Sequence, residues 1–460
     1  MVAPPDNWAG RQATERAMTS MTETGSGGGE DKLLAAARRA IAMIRETVDA
    51  HFSVRLWDGS VEPLGRNVTP GLQVAINSPG VLPSLLRRPS LDRLIRHYAH
   101  GRIEILGGTV IDIGEPFALD QSKRKALRKI DKLGLARTVW PLLLARGDSP
   151  DASRDFGAGA EGSGRKAGDN KRFIGFHYDV SNDFYRLFLD PEMQYSCGYF
   201  TDWSNGIEQA QRDKLDMICR KLRLKPGETL LDIGSGWGGL LCHAVQNYGV
   251  RGHGVTLSEE QLALAQEKVE RLGIADRVTF ELKDYQDLDG RFDKIASVGM
   301  YEHIGIANIP TYFRKARSLL KEDGLFLNHA ISRRAKRKSR RFSARPEQQA
   351  LQKYIFPGGE LHDIGGSVAE MEKIGFEVHD VEAWRPHYER TTRLWCERLT
   401  ARREEAEAIV GPEAYRIWVA YLGGCSLAFK RGSARIYQTL AGRSAKGAPS
   451  IPPTRADLYE

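Results

Sequence analysis

The chain has 460 residues, of which 41% are hydrophobic and 27% charged, and this composition excludes a wholly disordered or collagen-like protein. A chain of this length is expected to form two to three domains. Lys and Arg outnumber Asp and Glu by 67 to 59, and the resulting net charge of +8 favours an anionic partner such as nucleic acid or a phospholipid surface.

Three features of the sequence bear on the compartment. No apolar run approaches the ~20 residues that cross a bilayer, and the opening MVAPPDNWAGRQ lacks the apolar core of a signal peptide. The five cysteines contain no CxxC pair, which argues against a zinc site or a disulfide framework. They are Cys197, Cys219, Cys242, Cys396 and Cys425. We therefore expect a cytoplasmic protein that binds no metal.

The first 146 residues divide into a lead-in and a small domain. Residues 1–30 end in TETGSGGGE and predict a flexible N-terminus. Residues 32–48, KLLAAARRAIAMIRETV, have apolar residues at helical spacing. Two strand-like stretches, 51–60 and 102–114, flank a helical pattern over 90–101. The pattern predicts a small α+β domain over 31–146.

The rest of the chain is predicted to form a linker, one large domain and a tail. Residues 147–170 are rich in Gly, Ser, Ala and charge and indicate an interdomain linker. Residues 171–440 form the large domain, and residues 441–460, which contain three prolines, form a flexible tail.

The large domain alternates strand-like and helical segments. Five strands are predicted at ETLLDIG (228–234), VRGHGVTL (250–257), RVTFELKDY (277–285), RFDKIASVG (291–299) and GLFLNHAIS (324–332). Helical patterns GLLCHAVQNY, QLALAQEKVERL and PTYFRKARSLLK lie between them. Such alternation predicts an α/β, doubly wound, largely parallel sheet. Ligands of these sheets bind outside the carboxyl ends of the strands.

A glycine-rich loop follows the first of these strands. Gly234, Gly236 and Gly238 allow a tight turn and a close approach of the backbone to a ligand. A turn without a ligand and a dinucleotide site are alternatives, although the GxGxG spacing and the preceding Asp232 argue against the dinucleotide. Polar groups at the ends of the next three strands match the order that S-adenosylmethionine (SAM) needs in such a fold. The second strand end also contains a capping box, Ser258 with Gln261.

Six segments make the chain resemble the cyclopropane-fatty-acyl-phospholipid synthase family, which is related to the mycolic acid cyclopropane synthases. These segments are HYDVSNDFYRLFLDPEMQYSCGYF (177–200), LDIGSGWGGL (231–240), GVTLSEEQ (254–261), SVGMYEHIG (297–305), KYIFPGGELH (353–362) and GCSLAFKRG (424–432). The first and fourth are quite specific to this family, whereas many methyltransferases share the glycine loop. Ser235 departs from the Cys that many members carry. The resemblance implies a Rossmann-like, SAM-dependent methyltransferase domain preceded by a small lipid-contacting domain.

The resemblance also implies two sets of site residues. Predicted SAM contacts are Tyr195, Ser196, Leu230, Leu231, Asp232, Ile233, Gly234, Ser235, Gly236, Trp237, Gly238, Thr256, Leu257, Ser258, Glu259, Glu260, Gln261, Tyr285 and Gln286. A catalytic bicarbonate ion is predicted on the Cys197 backbone, Glu302, His329, the Ile331 backbone and Tyr388. Cys425 matches a cysteine sometimes proposed as catalytic, although a helix thiol more often serves as core packing. Taken singly, His329 and Tyr388 also fit structural roles.

The implied reaction is transfer of a methylene group from SAM to the cis double bond of an unsaturated phospholipid acyl chain, with bicarbonate as general base. Tyr178, Tyr195 and Phe200 could stabilise the carbocation by their ring faces. Alternatives are a SAM-dependent methyltransferase that leaves a methyl-branched or methylated unsaturated chain, or one that methylates a small amine. A basic RNA-binding methyltransferase and a non-catalytic lipid-binding protein fit the sequence less well.

Seven basic residues in ten, SRRAKRKSRR (332–341), follow the bicarbonate residues. An anionic leaflet attracts such a cluster by about 1 kcal/mol per residue, and a solvated loop or a nucleic-acid patch are the alternatives. We expect a peripheral enzyme on the inner face of the cytoplasmic membrane, with the cluster Arg333–Arg341 at its lipid-facing rim and no nucleic-acid partner. A homodimer is compatible with the resemblance.

Overall fold

The computed structural model describes residues 27–119, 131–149, 181–335, 360–443 and 451–459. The chain divides into two compact units. The predicted lead-in up to residue 26, most of the predicted linker and most of the basic cluster lie outside the described residues.

The first unit comprises residues up to 108 together with 120–152. Its elements are α1 (Gly27–Val48), β1 (Ser53–Arg55), β2 (Val61–Pro63), β3 (Gln73–Ile76), α2 (Val81–Arg87), α3 (Leu91–Ala99), β4 (Ile103–Leu106) and α5 (Lys132–Leu144). The strands form a four-stranded sheet in the order β2-β1-β3-β4, in which only β1 and β3 are parallel. The helices predicted over 32–48 and 90–101 are present, and Ser90 caps α3 by accepting a hydrogen bond from the Arg93 amide.

One segment of the predicted small domain packs elsewhere. Residues 109–119 cluster with the second unit, and they form helix α4 (Val110–Leu119) where the end of the strand-like stretch 102–114 was expected. Thr109 and Asp112 start this helix, because the Asp112 carboxylate accepts hydrogen bonds from the amide and hydroxyl of Thr109. A short apolar run does not distinguish a strand from a helix, and here the local cap favours the helix.

The second unit carries a seven-stranded sheet in the order β10-β11-β9-β8-β5-β6-β7. Its elements are α6 (Asn182–Arg186), α7 (Ile207–Lys221), β5 (Thr229–Ile233), α8 (Gly239–Tyr248), β6 (Arg251–Thr256), α9 (Glu259–Leu272), β7 (Val278–Leu282), β8 (Phe292–Val298), α10 (Ile309–Leu319), β9 (Leu320–Arg333), α11 (Ile364–Ile374), β10 (Phe376–Ala383), α12 (Arg385–Ala401), α13 (Arg403–Val410), α14 (Pro412–Arg431) and β11 (Ala434–Arg443). All five predicted strands and the three helices between them are confirmed. β5 to β9 are parallel, whereas β10 and β11, which were not predicted, run antiparallel at one edge.

The C-terminal tail is held in place where it is described, contrary to the prediction of a flexible segment over 441–460. Residues 441–443 complete β11. Further on, the Leu458 side chain is 1% exposed, Asp457 forms an ion pair with Arg223, and Arg455 pairs with Asp380. The buried leucine and the two ion pairs anchor this segment to the second unit.

Candidate active site

The glycine loop after β5 forms a tight turn. Gly234, Gly236 and Gly238 all have positive φ values, of 81°, 54° and 79°, a region that glycine enters without steric cost. The amides of Gly234 and Ser235 both donate to the Val255 carbonyl at 3.0 and 2.9 Å. These bonds hold the loop against β6 and open a pocket at the carboxyl ends of the parallel strands.

This pocket brings together most of the predicted SAM contacts. Twelve of them line it: Tyr195, Ser196, Asp232, Ile233, Gly234, Ser235, Gly236, Trp237, Thr256, Leu257, Gln261 and Tyr285. Residues at the ends of three neighbouring strands, β5, β6 and β7, therefore converge on one cavity together with residues 195–196, as expected for a ligand at the carboxyl edge of a doubly wound sheet.

Seven predicted contacts lie beside the pocket rather than in its wall: Leu230, Leu231, Gly238, Ser258, Glu259, Glu260 and Gln286. Leu230 and Leu231 are buried in the core of the sheet. A Cβ on Gly238 would lie 2.6 Å from the Phe280 ring, so this glycine serves close packing of α8 on the sheet.

The end of β6 carries both the cap of helix α9 and residues of the pocket wall. The Ser258 hydroxyl caps α9 by accepting from the Gln261 amide at 3.3 Å. The other half of the predicted capping box is not formed, because the Ser258 amide donates to the Thr256 hydroxyl at 3.2 Å. The Thr256 hydroxyl donates to the Gln261 side-chain carbonyl at 2.7 Å, and both residues are buried in the pocket wall. This bond fixes the Gln261 amide, whose NH₂ group remains available as a donor.

Sequence reasoning missed two lysines that line the pocket, Lys214 and Lys283. Lys214 lies on α7, and its side chain is fully buried among the pocket residues. A helix that precedes the glycine loop carries no motif that would mark this lysine.

A second cluster of predicted residues lies next to the pocket. Six residues were predicted to be catalytic, and none of them lines the pocket itself: Cys197, Glu302, His329, Ile331, Tyr388 and Cys425. Met300 and His303, which precede and follow Glu302 in the chain, do line it. Tyr195 and Trp237 line the pocket and also pack in the aromatic cluster that contains Cys197 and Tyr388. The two sites therefore share a wall.

Glu302 is a buried carboxyl group, and one of its oxygens accepts no hydrogen bond from the described residues. It lies on the short helical turn Tyr301–His303 after β8 and is 8% exposed. Burial raises its pKa from 4.5 to about 7, although a hydrogen bond from the Ile331 amide opposes the shift. Its Oε2 atom has no hydrogen-bond partner among the described residues. Near neutral pH this group exchanges readily between its acid and base forms.

His329, on β9, is held as a neutral ring. Burial, together with the charges of Lys214 and Lys221, lowers its pKa well below the usual value. The Gln438 amide nitrogen lies 3.0 Å from Nδ1, and because this nitrogen only donates, Nδ1 is the acceptor and Nε2 carries the proton. The Nε2 atom is buried without a partner in the described part of the chain. It is therefore a donor available to a ligand.

The remaining predicted residues lie among apolar and aromatic groups. Trp384 packs edge-on against His329 with ring centroids 5.3 Å apart, and its carbonyl lies 3.9 Å from the Cys197 sulfur. Tyr388 stacks on Phe429 at 4.5 Å. Burial raises the pKa of Cys425 to about 12, so its thiol stays protonated at neutral pH. A protonated thiol is a poor nucleophile, which agrees with a packing role for Cys425.

Comparison with known proteins identifies the family of this chain. The sequence profile of the mycolic acid cyclopropane synthetase family matches residues 166–439. The chain belongs to this family. It is 38% identical over 409 residues to the "Probable fatty acid methyltransferase" of Pseudomonas putida, which covers 88% of this chain and 95% of the relative. It is 40% identical over 267 residues to the cyclopropane-fatty-acyl-phospholipid synthase of Escherichia coli (strain K12), covering 58% and 66%.

Solved structures of family members show the same fold. The cyclopropane synthase MmaA2 from Mycobacterium tuberculosis is 34% identical, with a TM-score of 0.57 over 59% of this chain and 98% of the other. The mycolic acid cyclopropane synthase CmaA1, solved with S-adenosylhomocysteine (SAH) and CTAB, is also 34% identical, with a TM-score of 0.56 over 59% and 97%. The second unit is thus a SAM-dependent methyltransferase domain of a lipid-modifying enzyme family.

Proposed function

We propose that the enzyme transfers a methylene group from SAM to the cis double bond of an unsaturated acyl chain in a membrane phospholipid, and that the product is a cyclopropane acyl chain. The observation that carries the proposal is the pairing of two sites across one wall. The SAM pocket adjoins an aromatic cluster beside two buried polar atoms without partners, Glu302 Oε2 and His329 Nε2. An apolar substrate and a proton acceptor would both find a place there.

The chemistry explains why such a pairing is needed. An isolated double bond is a weak nucleophile, so the protein must align it with the sulfonium methyl group. Methyl transfer leaves a carbocation on the acyl chain, and ring closure then requires loss of one proton from the added methyl group. A general base has to lie within about 3 Å of that carbon, and SAM must not alkylate this base.

Bound bicarbonate fits these groups. As a weakly nucleophilic oxyanion it supplies a base that SAM does not readily methylate. His329 would donate its Nε2–H to the ion, and Glu302 would share a proton with it, because a raised pKa keeps that carboxyl group partly protonated near neutral pH. Depleting bicarbonate from the assay should slow turnover and adding it back should restore the rate; a rate that does not depend on bicarbonate would contradict this assignment.

Two of the three aromatic residues predicted to face the carbocation are described. Tyr195 packs against Trp395 with ring centroids 5.2 Å apart and lines the SAM pocket, which supports such a role. The Arg390 guanidinium lies 5.6 Å from the Phe200 ring centre, so a cation already occupies one face of that ring. Tyr178 lies outside the described residues. Tyr195 is therefore the better candidate.

A membrane surface as the source of substrate is supported by helix α5 of the first unit. Its buried side, with Val139 and Leu142, packs against α1. Its other side exposes Leu133, Trp140 and Leu144, which are 75%, 59% and 69% exposed and recur at helical spacing on one face. Exposed Trp and Leu on one helix face are typical of helices that lie in a bilayer interface.

Charge on and before this helix is also suited to an anionic leaflet. α5 contains Lys132 and Arg137 and no acidic residue, and residues 121–130 carry five Lys or Arg and no Asp or Glu. In the basic cluster 332–341, Arg333 donates to the Leu361 carbonyl and residues 336–341 lie outside the described residues. No helix in the described part of the chain is long and apolar enough to span a bilayer. We propose peripheral attachment at the inner face of the cytoplasmic membrane, where a homodimer would present two such faces.

Flotation with vesicles tests this attachment. The wild type should float with vesicles rich in anionic phospholipid and less so as salt is raised. Trp140→Ser with Leu144→Ser should weaken flotation at every salt concentration, whereas Trp203→Ser, which alters an exposed Trp of the second unit, should not. If the wild type and the double variant floated equally, or if the wild type did not bind anionic vesicles, the proposal would be contradicted.

A second candidate function is supported by the names of two relatives. The Pseudomonas putida relative and a Mycobacterium tuberculosis relative, 40% identical over 281 residues, are both called probable fatty acid methyltransferases. A methyltransferase that leaves a methyl-branched or methylated unsaturated chain would use the same SAM pocket and differ only in the fate of the cation.

Product analysis distinguishes the two functions. The purified enzyme is incubated with SAM and vesicles of unsaturated phospholipid, and the acyl chains are examined by mass spectrometry before and after catalytic hydrogenation. Cyclopropanation adds one CH₂ and removes the hydrogenatable double bond. A product that still takes up hydrogen, or a saturated methyl-branched chain, would favour the second function.

A further inference from the structure

The wall of the SAM pocket contains a buried lysine that forms no direct ion pair with the described residues. Lys214 is 1% exposed on α7. Its ammonium group donates to the Gln194 side-chain carbonyl at 2.6 Å and to the Ser196 hydroxyl at 3.0 Å, and both acceptors are neutral residues of the pocket wall. These bonds place the charge at the cavity.

No carboxylate of the described residues forms an ion pair with Lys214. The nearby Asp190 uses its oxygens to accept from the amides of Glu192 and Gln194 at 2.9 and 2.8 Å. Burial lowers the pKa of Lys214 to about 8, although the nearby carboxyl groups of Asp190 and Asp232 partly offset that effect. A buried cation without an ion pair is destabilising, so the site is suited to a ligand that brings a negative charge.

SAM carries one anionic group. Its sulfonium is positive, and its amino-acid end is a zwitterion with an ammonium and a carboxylate. A lysine in a pocket that admits a sulfonium ion would repel the ligand unless the carboxylate lay closer to it. The same wall holds Asp232, whose Oδ1 is buried without a partner in the described part of the chain and which can accept from the ammonium.

We propose that Lys214 binds the carboxylate of the methionine portion of SAM and thereby positions the sulfonium methyl group, with Asp232 binding the neighbouring ammonium. Held at its amino-acid end, the cofactor cannot slide along the pocket, so its methyl group keeps one direction. The proposal depends on SAM being the methyl donor but not on the fate of the lipid.

Calorimetric titration without lipid tests the pairing directly. SAH and its decarboxylated analogue, which keeps the amine and lacks the carboxylate, are titrated into the wild type, Lys214→Met and Lys268→Met. Lys268 is a matched control, because it is also buried, at 4% exposure, but pairs with Glu192 and does not line the pocket. The wild type and Lys268→Met should bind SAH about 10- to 100-fold more tightly than the analogue, as expected for a buried charged hydrogen bond.

In Lys214→Met the preference should disappear: SAH binding weakens by that factor while the analogue binds as before. Equal weakening of both ligands, or unchanged SAH binding, would overturn the proposal. If thermal unfolding shows that Lys214→Met does not fold, the wild type alone decides, because equal affinity for the two ligands would also overturn it. Since no acyl chain is present, failure of cyclopropanation leaves the result of this experiment unaffected.

Discussion

Replacing Glu302 with Gln is expected to make the protein more stable at alkaline pH and much less active. Glu302 is a buried carboxyl group, and Gln has the same shape without the titrating proton. The Ile331 amide that donates to the carboxylate can donate equally well to the Gln carbonyl. The substitution therefore removes an ionisation from the site while leaving its packing in place.

The magnitude follows from the pKa of Glu302, which burial raises from 4.5 to about 7. Between these two values the unfolded chain releases the proton and the folded protein retains it, so wild-type stability falls as pH rises. At 1.36 kcal/mol per pH unit the loss is about 3 kcal/mol, and it is complete somewhat above pH 7. Glu302→Gln lacks this loss, so its free energy of unfolding relative to wild type should rise by about 2–3 kcal/mol between pH 5 and pH 8.

Denaturant unfolding at pH 5 and pH 8 measures this difference, and turnover of unsaturated phospholipid is measured alongside. Activity should fall about 100-fold or more, because the proton shared with the general base is gone. Glu322→Gln, at a carboxylate that is 76% exposed, is the control and should change neither quantity. A stability difference that does not vary with pH would refute the assignment of a raised pKa, and undiminished turnover would refute the catalytic role.

Three further outcomes are expected. His329→Gln should lower the rate by about 100-fold in the same lipid assay, because the donor that Gln438 orients is lost; wild-type turnover would contradict this role. Cys425→Ser should keep most of the activity, because a thiol with a pKa of about 12 is protonated at neutral pH; complete loss of turnover would show a catalytic role after all. Gly238→Ala should lower the free energy of unfolding by about 1–3 kcal/mol, because a Cβ would lie 2.6 Å from Phe280 at a positive φ; unchanged stability would contradict the close packing.

The central sheet could be predicted because its parallel strands carry local signals. Each of the five strands is an apolar run, and a polar turn with an amphipathic helix follows β5, β6 and β8, so strand, turn and helix reinforce one another there. β10 and β11, which pair antiparallel with each other, escaped prediction, and β10 is the edge strand of the sheet. β10, with sequence FEVHDVEA, is only partly buried, and an exposed edge strand does not need an apolar run.

The site could be predicted only where a motif or a family resemblance marks it. The glycine loop and the strand ends place the pocket, whereas Lys214 could not be found, because its role depends on which face of α7 meets the sheet. The positions of residues 109–119 and of the C-terminal segment depend likewise on long-range contacts, such as the ion pairs of Glu115 with Arg393 and of Asp457 with Arg223. Sequence periodicity does not carry that information.

The number of hydrogens that the delivered carbon keeps tests the central claim most directly. The enzyme is supplied with SAM whose methyl group carries three deuterium atoms, and the modified acyl chain is examined by mass spectrometry. If a base beside Glu302 and His329 removes one of them during ring closure, the product retains two deuterium atoms. A product that retains all three would mean that the added group stays a methyl, and cyclopropanation would be ruled out.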